Sequence, residues 1–143
     1  PKIWDRVRDF LPKPYTEHDA LSFINMSLAQ VPMVNFAIDV DGQAIGGIGV
    51  TPQRDVQRLS AEIGYWLGEE YWGRGIVSGV LRDVTEYIFA STELIHIFAG
   101  VFSNNPASIR VLEKAGYAHV GIMHRAAIKN GQILDMNYYE KVK

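Results

Sequence analysis

Apolar residues recur along the chain with two periods, and the switches between them divide it into elements. At the start, Ile3, Trp4, Val7, Phe10 and Leu11 have the spacing of one helical face, which predicts an opening amphipathic helix. Pro12 and Pro14 break it. Thr16 then stands three residues before Asp19, close to a capping box, and a second helix is predicted with Leu21, Ile24, Met26 and Leu28 on its buried face. The period changes to two in VNFAIDV and QAIGGIGV, which flank Asp41-Gly42 and predict a hairpin with a type I′ turn. After the polar connection TPQRDVQR, the run LSAEIGYWL predicts a further strand. Val77, Val80, Leu81, Val84 and Ile88 return to the helical period. LIHIFAGVF is short and nearly continuously apolar, as expected of a strand buried on both faces. NPASIRVLEKAGY predicts a helix with Pro106 in its first turn and Gly116 closing it. A last hairpin turns at Asn130-Gly131.

The strand–helix–strand unit in the middle of this order requires a parallel pair joined by a right-handed crossover. At 143 residues, with 48% hydrophobic residues, the chain is expected to fold as one domain with a real core. Its 14 basic and 16 acidic residues form no block of one sign, which argues against a nucleic-acid partner. With no cysteine, thiolate catalysis, disulfides and cysteine-bound zinc are excluded, and a cytoplasmic setting is expected. No histidine pair has metal-ligand spacing, and no metal is expected. No apolar stretch approaches the roughly 20 residues of a membrane span.

The stretch GEEYWGRGIVSGV concentrates glycine between a strand and a helix. Unpaired amides at a helix N-terminus suit a phosphate, with Gly73 and Gly75 letting it reach the main chain and Arg74 adding charge. A tight turn whose glycines relieve steric clash fits the spacing equally well. The P-loop and dinucleotide glycine patterns are absent. Downstream, Asn105 and Ser108 open a helix just beyond the apolar strand, where ligands sit in α/β sheets. Asn104 or Asn105 has an alternative role as a simple helix cap.

AEIGYWLGEEYWGRGIVSGVL followed by NNPASIRVLEKAGY resembles the GNAT superfamily of N-acetyltransferases, in the branch that includes the ribosomal-protein N-terminal acetyltransferases. The family's acetyl-CoA loop has Gln or Arg, then any two residues, Gly, any residue, and Gly or Ala. Glu70 to Gly75 match it except at the first position. Asn105 to Tyr117 match N-x-x-S-x-x-x-L-x-K-x-G followed by Phe or Tyr throughout. The resemblance implies an α/β (α+β) fold: a mixed, mostly antiparallel sheet with a central parallel pair splayed for CoA and flanked by helices. Residues 1–143 would be a single domain lacking the family's first strand.

The implied activity is transfer of an acetyl group from acetyl-CoA, as co-substrate, to a primary amine by direct attack in a ternary complex. A non-catalytic acyl-CoA-binding sensor on the same fold is the alternative. The implied acceptor is a protein N-terminus, a polyamine or another small amine, the chain acting as monomer or homodimer away from nucleic acid and membrane. By the same resemblance, backbone near Trp66 and Leu67 would hold the pantetheine. Tyr71, Trp72, Gly73, Arg74, Gly75 and Ile76 would cradle the pyrophosphate, and Asn105 would bond the pantetheine. Glu62, whose strand face also carries Gly64 and Trp66, is the candidate base through a water. The tyrosine that many family members place seven residues after the Asn is Leu112 here. Ser108 is therefore the candidate donor to the leaving thiolate, ahead of Tyr138 or Tyr139.

Overall fold

The computed structural model describes residues 2–9 and 11–143, so Phe10 lies outside the described residues. Among them, one sheet has the strand order β1-β2-β3-β4-β6-β5. Its members are β1 (Asn35–Val40), β2 (Gln43–Pro52), β3 (Ser60–Leu67), β4 (His96–Phe102), β5 (Ala118–Lys129) and β6 (Gln132–Val142). Both expected hairpins form. Asp41 and Gly42 have φ 53° and 81°, and Asn130 and Gly131 have φ 50° and 76°. Those paired positive angles define the type I′ turn, which matches the twist of the flanking strands.

The parallel pair is β3 with β4, and α2 (Ile76–Ser91) is the crossover between them. Their ladder covers only Ser60↔His96, Ala61↔Ile97 and Glu62↔Phe98. Beyond that point β3 stays paired to β2 as far as Leu67↔Gly46, and β4 to β6 as far as Phe102↔Met136. The two central strands therefore diverge, each held by its outer neighbour.

The core lies between one sheet face and the helices α2 and α3 (Pro106–Lys114). Leu81, Ile88, Ile97 and Leu112 are fully buried within it. Thr85 Oγ1 donates to Leu81 O at 2.7 Å and meets Tyr117 OH at 2.6 Å, which satisfies two buried hydroxyls. At the end of α3 the amides of Gly116 and Tyr117 bond Glu113 O and Leu112 O, both at 3.0 Å, with Gly116 at φ 84°. This is a Schellman closure, and it explains the glycine there.

Three expectations change. The opening helix is only a 3-10 turn at Trp4–Arg6 with no side-chain cap. Its charged residues are bonded elsewhere, Arg8 to Glu62, Lys129 to Asp9 and Asn130 to Asp5, so the segment follows those partners and not its own ladder. α1 (Glu17–Leu28) does form with the full Thr16–Asp19 capping box. Yet Leu21, Ile24, Met26 and Leu28 are exposed, and only Ser27 of the helix is buried. β1 is the sheet edge among the described residues, which leaves α1 no strand surface beyond it. Finally, β4 is not buried on both faces: Ile97, Ala99 and Val101 are buried, whereas the residues between them are half-buried. Among the described residues, α2 and α3 cover one face, and the N-terminal segment crosses the other.

Leu112→Ala removes a fully buried side chain between α3 and the sheet. It should lower stability by about 2–5 kcal/mol, read as a lower urea midpoint at unchanged slope.

Candidate active site

The site is built where β3 and β4 part. Two chain segments begin at their carboxyl ends: the glycine turn after β3 and the first turn of α3 after β4. After Leu67 the chain makes a 3-10 turn at Glu69–Tyr71 and reaches Gly73 and Gly75, with φ 75° and 74°. Side chains resist that left-handed region, which explains both glycines. α2 then starts without a side-chain cap and with no acidic residue in its first turn. The amides from Gly73 through Ser78 meet no acceptor among the described residues. A Cβ added at Gly73 or Gly75 would meet no atom within 4 Å, so the turn opens onto free space. Unpaired amides, a helix N-terminus and open room together suit a phosphate. Arg74 lies over the Tyr71 ring at 5.2 Å. Trp72 Nε1 donates to Leu67 O at 2.9 Å and fixes the turn against the end of β3.

Leu67 is buried, whereas Trp66 is 45% exposed on the other sheet face, its indole filling the space left by Gly47. From Ile63 onward the β3 edge facing β4 has no strand partner. Together with the facing edge of β4 beyond Phe98, it is central-strand backbone that a ligand chain could join.

Asn105 is buried and is the N-cap of α3, its Oδ1 accepting from Ser108 N at 3.3 Å. Arg6 Nη1 reaches the same oxygen at 3.5 Å while its guanidinium lies over Trp72 at 4.5 Å. Ser108, in the first turn of α3, has its Oγ 2.6 Å from the hydroxyl of Tyr65 on β3. Burial pushes the Tyr65 phenol up to about 12, against a smaller opposing effect of that hydrogen bond. Burial likewise pushes Tyr117 up to about 12.

Glu62 lies at the last position of β3 paired with β4, on the face opposite Tyr65, and Arg8 pairs with its carboxylate. Alongside is a cavity of about 330 Å³ lined by Arg8, Asp9, Phe102, Lys129, Met136 and Tyr138, among others. Gly100 on β4 makes room for two of these lining side chains, because a Cβ there would come within 2.9 Å of Met136 and 3.2 Å of Tyr138. Lys129 is buried between Asp9 and the Trp4 ring, its Nζ 3.4 Å from the ring centroid. Tyr139 is on the other face, bonded to Glu113 and apart from this cavity.

The expected residues thus form three groups around one opening: the turn Tyr71–Ile76, the α3 start with Asn105 and Ser108, and Glu62 across the sheet. Tyr65, Arg6 and Arg8 are additions. Tyr65 is hidden in the sequence by the strand alternation that assigns it to the core. Arg6 and Arg8 carry no local signal, since their partners lie far along the chain.

The acetyltransferase (GNAT) domain family profile matches residues 3–118. An uncharacterized N-acetyltransferase of Bacillus subtilis, YoaA, is 38% identical over 71% of this chain and 56% of its own length. The ribosomal-protein-serine acetyltransferase of Escherichia coli is 32% identical over 66% of this chain and 54% of its own. The chain therefore spans about half the length of these curated relatives. Among solved structures, Mycobacterium smegmatis RimJ in complex with CoA-disulfide superposes with a TM-score of 0.83 at 21% identity, covering 99% of this chain and 70% of that one. The microcin self-immunity acetyltransferase MccE, in complex with acetyl-CoA and AMP, gives 0.72 at 25% identity over 88% and 71%.

The two buried phenols set an alkaline limit. Unfolded tyrosine ionises near 10, and the folded phenols near 12, so the unfolded chain loses protons first as pH rises. Their stabilisation should be full below pH 10 and lost through pH 12, on the order of 1–3 kcal/mol for each. Urea midpoints at pH 9 and pH 11.5 check this, and Tyr65→Phe should shrink the difference.

Proposed function

The chain belongs to the acetyltransferase (GNAT) domain family, and on that premise we propose that it moves an acetyl group from acetyl-CoA to a primary amine. The observation that carries this reading is the uncapped, glycine-lined turn from Gly73 to Ser78 beside the unpaired edge of β3. Acetyl-CoA supplies the activated acyl group as a thioester. The free amides of the turn bind its diphosphate, and Arg74 adds charge. The β3 edge near Trp66 and Leu67 holds the pantetheine arm by main-chain bonds, with Asn105 and α3 on its far side.

The acceptor is a peptide α-amine or a small-molecule amine. It enters from the opposite sheet face, through the cavity that Arg8, Met136 and Tyr138 help to line. Glu62 takes the proton from the attacking nitrogen, directly or through a water, once its carboxylate leaves Arg8. Ser108 donates to the sulfur as the carbon–sulfur bond breaks, in the electrostatic field of the α3 N-terminus. No covalent enzyme intermediate is required. One observation favours the alternative of a silent acyl-CoA sensor: the Arg8–Glu62 pair holds the candidate base engaged.

Two outcomes separate the readings. Acetyl-CoA and CoA at about 100 times Kd should stabilise the fold by about 2.7 kcal/mol in thermal melts, while ATP should not. Gly75→Val should abolish the rise; its side chain is strained at φ 74° and lowers the unliganded melt too, so the readout is the loss of the acetyl-CoA-dependent increment. In an amine-acceptor screen, Glu62→Gln and Ser108→Ala should each lower kcat by about 10²–10⁴-fold while acetyl-CoA still stabilises both. Stabilisation without turnover on any amine would leave the sensor.

A further inference from the structure

Ser108 and Tyr65 share one short hydrogen bond, and the atoms around it decide its direction. The phenol can reach two acceptors, Ser108 Oγ at 2.6 Å and Ser108 O at 3.4 Å. The second is long for an O–H donor, so the first is its good acceptor. If Ser108 donated to the phenol, the phenolic proton would be left without a good acceptor among the described residues. The favoured arrangement has Tyr65 donating to Ser108 Oγ. Ser108 then keeps its own proton free, and no other partner engages its Oγ among the described residues.

The position gives this direction a purpose. Tyr65 is on β3 beyond the last rung shared with β4, and Ser108 is in the turn that follows β4. The bond therefore bridges the opening between the diverging strands from its helix-covered side. We propose that Tyr65 is a positioning residue: its phenol holds Ser108 Oγ and turns the Ser108 proton into the opening, toward the thioester sulfur. This rests on the assignment of Ser108 as the donor to that sulfur. The carbon–nitrogen bond forms and the carbon–sulfur bond breaks with its electron pair going to sulfur. The nitrogen's proton goes to Glu62, and the thiolate, held by the Ser108 hydrogen bond, takes its proton from solvent, so Ser108 keeps its own. Tyr65 stays protonated throughout, and its donation makes the Ser108 hydroxyl a stronger donor to the developing thiolate. A phenol from the strand thus does its work through a serine, in a chain whose Leu112 offers none from the helix.

The first test needs no acceptor. A donor chain aimed at sulfur favours bound thiolate, so CoA should bind more tightly as pH rises from 7 to 9.5 through the ordinary thiol range near about 8.5. Calorimetry on the whole chain should show about a tenfold gain for CoA over this range, and none for desulfo-CoA. Tyr65→Phe keeps the ring and should flatten the CoA profile while leaving desulfo-CoA affinity unchanged; Ser108→Ala should flatten it too. Tyr65→Phe should also lower kcat about 10- to 100-fold with an unchanged KM for acetyl-CoA, and add nothing in a Ser108→Ala background. A CoA profile in Tyr65→Phe like that of the wild type, or a flat wild-type profile, overturns the assignment while acetyl-CoA binding stands. No CoA binding at all would overturn it together with the acetyltransferase reading. Should Tyr65→Phe fold poorly, the Ser108→Ala profile decides alone: a pH-dependent gain that survives it overturns the role.

Discussion

The short ladder between β3 and β4 is the constraint on which the rest depends. The two strands share rungs only from Ser60↔His96 to Glu62↔Phe98, then part. Each is held to its outer neighbour along its remaining length, so neither can collapse onto the other. Backbone groups at a broken ladder need partners. Part of that need is met at the opening by a side chain, the indole of Trp72 bonding Leu67 O, while the Tyr65 and Ser108 side chains bond each other across the gap. The remainder of the β3 edge is free for another extended chain.

Topology brings the chemistry to the same place. In a parallel pair both carboxyl ends point the same way, and here each leads into a helix. α2 starts from glycines with free amides, and α3 starts from a buried asparagine cap. Two positive helix ends therefore converge on the opening, which favours anionic groups there. The opposite face carries the candidate base and a cavity lined by Arg8, Met136 and Tyr138 among others. The N-terminal segment closes over that face through Arg6, Arg8 and Asp9, whose partners lie on β3, β5 and the cap of α3. Charge pairing rather than helix propensity sets its course.

Much of this was legible from local chemistry. Asp41-Gly42 and Asn130-Gly131 announce their turns, because paired positive φ angles favour those residues. Pro106 and Gly116 bracket α3, and Thr16 with Asp19 caps α1, by bonds that span only a few residues. The family motif placed Gly73, Gly75, Asn105 and Ser108 at one opening for the same reason: each sits in a turn whose geometry its own residue type dictates. Periodicity misled where it was asked about partners. Leu21, Ile24 and Leu28 have the spacing of a buried stripe, but no described surface receives it, and α1 leaves them exposed.

Apart from the opening segment, the sequence by itself determined the elements, their turns and caps, and the family motifs, since all of these are settled by contacts within a few residues. Only the tertiary structure decided where the central ladder stops, which face of β4 is covered, and that Arg8 meets Glu62 and Tyr65 meets Ser108. Those pairs join positions 54 and 43 residues apart. Their geometry follows from how strands diverge and helices pack, and no local pattern of residue types encodes it.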